Sequence, residues 1–147
     1  MNTTLTTNLL YVAGTGQIFI ALIYEWVRRI LYWDAGIAAM PTRLNQQIAH
    51  TYSRYIQALN FFFGAITILF ADAFLQEPRL GAALAGLLTL YWGIRTVIAL
   101  TYYDIGPIVK QRTLFRYGNY GFNLLFAMLA AIYGWTVVNA WFILKLQ

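Results

Sequence analysis

The sequence predicts an all-α fold, a bundle of four transmembrane helices running up-down-up-down. Three observations lead there. Of 147 residues, 61% are hydrophobic and 10% charged, against roughly 45–50% and about 25% in soluble domains. The apolar residues gather into four runs of 21–24 residues, at about Leu9–Leu31, Tyr55–Leu75, Leu80–Tyr103 and Phe122–Leu144, each long enough at about 1.5 Å per residue to cross about 30 Å of hydrocarbon. The runs show no period-two alternation and are about twice a barrel strand's length, which selects helices over a β-barrel. The whole chain 1–147 reads as one membrane domain.

The first span follows a polar stretch, Met1–Asn8, with no positive charge. It does not look like a cleaved signal peptide, so the span is expected to be retained. The second and third spans are separated only by Gln76-Glu77-Pro78-Arg79, a turn short enough to make them antiparallel neighbours. The first connector, 34–54, holds Pro41 and Asn45-Gln46-Gln47; the third, 105–116, holds Gly106, Pro107, Lys110, Arg112 and Arg116.

Both connectors are basic. Arg28, Arg29, Arg43, Arg54, Lys110, Arg112 and Arg116 lie near them, while Arg79 and Lys145 lie at the other ends of the spans. The positive-inside rule places the connectors in the cytoplasm and both termini outside. Trp26, Tyr32, Trp33, Tyr102, Tyr103, Tyr117 and Tyr120 cluster at the connector level, as an interfacial aromatic belt does.

Two echoes suggest tandem helical hairpins related by an axis along the membrane normal. Tyr32-Trp33-Asp34-Ala35-Gly36 returns as Tyr102-Tyr103-Asp104-Ile105-Gly106, and Arg54-Tyr55 with Gln57 returns as Arg116-Tyr117 with Asn119. With so few identities, duplication and coincidence both stay open.

Composition excludes much chemistry. The absence of cysteine removes disulfides, thiolate ligands and thiol nucleophiles. The single His50 rules out a bis-histidine haem or multi-histidine zinc site within one chain. No phosphate-binding glycine loop, nucleophile elbow or paired-carboxylate signature is present, so neither metal nor cofactor is expected, and an enzyme is the least favoured class. The net charge of +5 fits orientation and anionic lipid better than nucleic acid.

The informative residues are polar ones placed where hydrocarbon is expected, because a charge at mid-span costs about 2.5–3.5 kcal/mol. Glu25 lies eight residues before Trp33 and Arg95 nine before Asp104, so both sit about 12–14 Å below the cytoplasmic interface. Equal depth and opposite charge predict a pair across the bundle. Gly14, Gln17, Ala21, Glu25 and Arg28 share one helical face, as do His50, Arg54, Gln57, Asn60, Gly64, Thr67 and Ala71, and Asn119, Asn123, Ala127, Ala130 and Gly134.

Glu25, Arg95, Gln57, Asn60 and Asn123 therefore form a candidate intramembrane polar layer. It is either hydrogen-bonded glue between helices or a cavity for a small solute or lipid-like ligand, anchored by Arg95. His50, Tyr52 and Tyr55 are a candidate titrating cluster, set against the plainer reading of interfacial polar residues. Asp72 reads as an outer-face residue near Arg79.

The run Leu90-Tyr91-Trp92-Gly93-Ile94-Arg95 followed by Tyr102-Tyr103-Asp104, with Tyr52 through Asn60 and Gly64 upstream, resembles a group of small uncharacterised bacterial four-span membrane proteins. The resemblance covers about the middle two thirds of the chain and implies bacterial inner-membrane placement without an activity. Five-span tryptophan-rich translocators need another span, and quinone-linked thiol oxidoreductases need cysteines.

The functional expectation is a non-enzymatic membrane protein acting through contacts with lipid and with other membrane subunits or its own copies. Phe61–Phe63 and Trp135/Trp141 are the candidate partner faces. The alternative is ligand binding or transport at the Glu25 and Arg95 layer.

Overall fold

A computed structural model describes residues 3–104 and 113–146. Among these there are six helices and no strand: α1 (Thr3–Ile30), α2 (Trp33–Ala38), α3 (Arg43–Leu69), α4 (Ala73–Gln76), α5 (Pro78–Thr101) and α6 (Thr113–Leu146). Three stretches are long and apolar enough to cross a membrane: Thr3–Ile30, Pro78–Thr101 and Phe115–Lys145. The chain divides into two compact units, Tyr11–Leu69 and Met1–Leu10 with Phe70–Gln147.

The helices differ from the expected spans in instructive ways. The second span, expected to be continuous over 55–75, is interrupted: α3 stops at Leu69, Phe70–Asp72 form a turn, and α4 is a separate single turn. The first connector, expected as a polar linker, is mostly helical, because Arg43–Arg54 contains no glycine or proline and is rich in good helix formers. Hydropathy reports polarity, and polarity does not break a helix.

The helical path through this connector is set by local caps. The hydroxyl oxygen of Thr42 accepts the Asn45 N–H at 3.1 Å at the start of α3. Gln46 Nε2 donates to the carbonyls of Ala38 (3.2 Å) and Met40 (3.1 Å), satisfying groups that the end of α2 leaves open. Between α1 and α2, Tyr32 adopts φ 51°, a left-handed conformation that disfavours a side chain and reverses the chain within two residues. At the other end of the sequence α6 begins at Thr113, so 113–116 of the third connector is helix; Gly106, Pro107, Lys110 and Arg112 lie outside the described residues.

In the unit Tyr11–Leu69, α1 and α3 meet at two glycines. A Cβ added to Gly64 would lie 2.7 Å from the Gly14 carbonyl oxygen and 3.0 Å from the Ile18 nitrogen, so the two backbones are in direct contact. This is the small-residue packing by which helices associate in lipid. On α3 the buried residues are Ser53, Asn60, Gly64 and Thr67, while Leu44, Ile48, Tyr52, Tyr55, Leu59, Phe62, Ile66 and Leu69 are exposed. Polar residues inside and an unbroken apolar stripe outside invert the pattern of a helix in water.

In the other unit α5 and α6 are the paired helices. Trp92 stacks on Phe126 at a centroid distance of 5.4 Å, and a Cβ on Gly134 would be 3.7 Å from Thr89, so the pair runs antiparallel. Ala85, Leu88, Trp92, Leu129, Ile132, Tyr133, Thr136 and Ala140 form its core. The hydroxyls of Thr89, Thr96 and Thr136 donate to the carbonyls of Ala85, Trp92 and Ile132 at 2.7–3.0 Å, which keeps hydroxyl groups satisfied where water is absent.

Candidate functional site

The polar layer around Glu25 is built by the C-terminal end of α1 and the N-terminal half of α3, with α2 between them. Glu25 and Arg28 are one turn apart on α1, and Arg54 and Gln57 one turn apart on α3, so each pair projects from one face of its helix. Arg54 Nη1 donates to Glu25 Oε2 at 2.7 Å and to Gln57 Oε1 at 3.1 Å. Gln57 Nε2 then donates to the Ala21 carbonyl at 3.0 Å. The result is a continuous polar bridge from α1 to α3 and back to the α1 backbone.

Arg28 extends that bridge. Its side chain is 1% exposed, with Nη1 3.8 Å from Glu25 Oε2 and Nη2 paired to Asp34 Oδ1. Nε and Nη1 make no hydrogen bond among the described residues, so the charge of Arg28 is held by the two carboxylates. Asp34 Oδ1 also lies 4.0 Å from His50 Nδ1. Five charged or titratable groups, Glu25, Arg28, Asp34, His50 and Arg54, thus form one network within one unit.

Of the residues expected in the polar layer, the structure joins Glu25 to Gln57 through Arg54. Asn60 is buried on the same face of α3, one turn further on. Arg95 belongs to the other unit, where its guanidinium carbon lies 5.0 Å above the Phe126 ring in a cation–π contact. Its Nε makes no hydrogen bond among the described residues. Asn123 is half-buried on α6, one turn before Phe126. Each charge of the expected Glu25–Arg95 pair therefore has a partner inside its own unit, an arginine for one and an aromatic ring for the other.

The expected His50, Tyr52 and Tyr55 group is spread around α3. At about 100° per residue, Tyr52 projects about 200° away from His50, and both tyrosines are exposed. His50 faces Asp34. The sequence places Arg28 on the Glu25 face and Arg54 on the Gln57 face, but both arginines count there as orientation signals and Asp34 as connector, so none of the three stands among the expected site residues. The three-residue spacing of Glu25 and Arg28 was the available signal.

A cleft of about 570 Å³ opens beside the network, lined by Asp34, Ile37, Ala38, Arg43, Gln46, Gln47, His50 and Thr51. In the other unit a cleft of about 420 Å³ is lined by Thr3, Thr4, Thr7, Asn8, Asp72, Leu75, Gln76 and Ile143. There Asp72 lies with Thr7, whose hydroxyl is 3.5 Å from its carboxylate. Comparison with known proteins finds no matching family model, no matching curated protein and no matching solved structure.

Proposed function

We propose that this chain is a non-enzymatic integral protein of a bacterial cytoplasmic membrane that acts by contact, as an accessory subunit of a larger membrane complex or as a self-associating bundle. One observation carries the reading: the aromatic faces stay uncovered when the helices pack. Phe61, Phe62, Trp135 and Trp141 are all exposed, whereas the polar side chains that could do chemistry in the Glu25 layer are bound to one another and hold α1 to α3. Large rigid aromatics are the residues that dominate contact energetics. Purification of the full chain from native membranes in a mild detergent, followed by native mass measurement, is expected to return stoichiometric partner subunits or a homo-oligomer. A lone monomer overturns the proposal.

The same reading has α3 as a fourth span, with both termini on the periplasmic side. Support comes from its 27 residues, about 40 Å of helix, and from the apolar stripe Leu44–Leu69 along its exposed face. The chain has no native cysteine, so single cysteines report sidedness directly. In intact cells a membrane-impermeant maleimide is expected to label Gln76→Cys and to leave Gln47→Cys unlabelled until the cells are opened. Equal labelling of both from outside removes α3 from the membrane.

A further inference from the structure

We propose that the cleft between α2 and α3 binds the phosphodiester headgroup of an anionic phospholipid. The inference is independent of whether partner proteins exist, but rests on the membrane placement of α3.

The charge balance points to an anion. Arg43 has no carboxylate within 4 Å among the described residues, whereas Asp34, the acid in the cleft, is paired with the buried Arg28 and lies beside His50. The negative charge in the wall is thus compensated from behind, and the uncompensated charge on the rim is a guanidinium. Arg43, Gln47 and Thr51 are spaced four residues apart, and so present one cation, one amide and one hydroxyl along a single face of α3. A phosphodiester oxygen accepts from each of these donor types, and the guanidinium contact is the charge-assisted one.

The surroundings select a lipid over a soluble phosphate. One residue round the helix from Arg43, Gln47 and Thr51 lie Leu44, Ile48 and Tyr52, all exposed and continuous with the apolar stripe that runs to Leu69. A molecule with its phosphate on the first row has an apolar surface for acyl chains on the second. Trp33 and Tyr32, also exposed, stand at the start of α2 as residues of the interfacial belt do. The cleft volume of about 570 Å³ is within the range of about 300–1,000 Å³ that holds small ligands. Basic pockets on the cytoplasmic side are a recognised way of holding anionic headgroups.

The test uses the full chain purified in mild detergent and stripped of co-purifying lipid. Phosphatidylglycerol and phosphatidylcholine are titrated separately and bound adducts are counted by native mass spectrometry. The expected result is one saturable phosphatidylglycerol adduct, at least about tenfold preferred over phosphatidylcholine, and weakened about tenfold by Arg43→Gln. Arg43 is exposed, so this variant is expected to keep the wild-type helix content by circular dichroism. Thr51→Val, on the same face, is expected to weaken the adduct less, and Arg79→Gln, in the other unit, to leave it unchanged. Equal binding of the two lipids, or wild-type binding by both Arg43→Gln and Thr51→Val, overturns the proposal. Displacement of the lipid by excess inorganic phosphate assigns the cleft to free phosphate and overturns it equally.

Discussion

Gly81→Ala is expected to be strongly destabilising. A Cβ at Gly81 would fall on the backbone of Phe74, 2.6 Å from its carbonyl carbon and 2.8 Å from its Cα, and closer still to the carbonyl oxygen. Nothing flexible stands in the way that could yield. Phe74 is itself 2% exposed, and the turn between α4 and α5 is tied by the Gly81 N–H to the Glu77 carbonyl at 2.8 Å and the Glu77 N–H to the Ala73 carbonyl at 3.0 Å. Relief of the overlap requires α4 to move off α5.

The gain in helix propensity from alanine is about 1 kcal/mol, and the backbone displacement outweighs it, for a net loss of about 3 kcal/mol or more. The measurement is denaturant unfolding in detergent followed by tryptophan fluorescence. Gly93→Ala is the control, because nothing lies within 4 Å of the methyl there, and it is expected to be neutral or slightly stabilising. If the two variants behave alike, the close packing of Phe74 on Gly81 does not exist in the folded protein.

Gly64→Leu is expected to separate α1 from α3. The added side chain would start 2.7 Å from the Gly14 carbonyl oxygen and 2.8 Å from Ile18 Cγ1, in the contact that brings Arg54 to Glu25 and Gln57 to the Ala21 carbonyl. Overpacking costs about 1–3 kcal/mol by itself, and separation of the helices also strips the polar groups of their partners at about 1–3 kcal/mol each where they are buried. Asn60 is the most exposed to this effect, being one turn from Gly64 and 1% exposed. A loss of several kcal/mol, or failure to accumulate in the membrane, is expected. Gly64→Ala is expected to show the same defect in smaller measure, and full retention of stability by the leucine variant would remove the glycine contact from the account.

The polar layer was legible in part. Glu25, Gln57 and Asn60 were identifiable because polar groups in apolar runs are costly and so must be satisfied by something. Their depth followed from residue counting, which is why Glu25 and Gln57 turn up in one network. Depth leaves rotation about the helix axis open, and rotation decides partners: Glu25 turns to Arg54 and Arg28, and Arg95 to the ring of Phe126. Arg28 and Asp34 were hidden for a different reason. Arg28 ends the first span and reads as an orientation charge, Asp34 opens the connector, and only the left-handed Tyr32 and the return of α2 bring Asp34 back onto the last turn of α1.

The all-helical class and the apolar helices long enough to span a membrane were determined by the sequence alone, because hydrocarbon leaves backbone groups no partner except one another and a run of about 20 apolar residues then has one low-energy form. The tertiary structure decided where those helices stop and what their polar faces hold. α3 begins at Arg43 and ends at Leu69 rather than following its hydropathy, since helix propensity and capping start it and the turn at Phe70–Asp72 ends it. Hydropathy averages over the circumference of a helix; the buried Ser53, Asn60, Gly64 and Thr67 and the exposed Leu44, Ile48, Tyr52 and Tyr55 differ only in direction, which packing against α1 supplies.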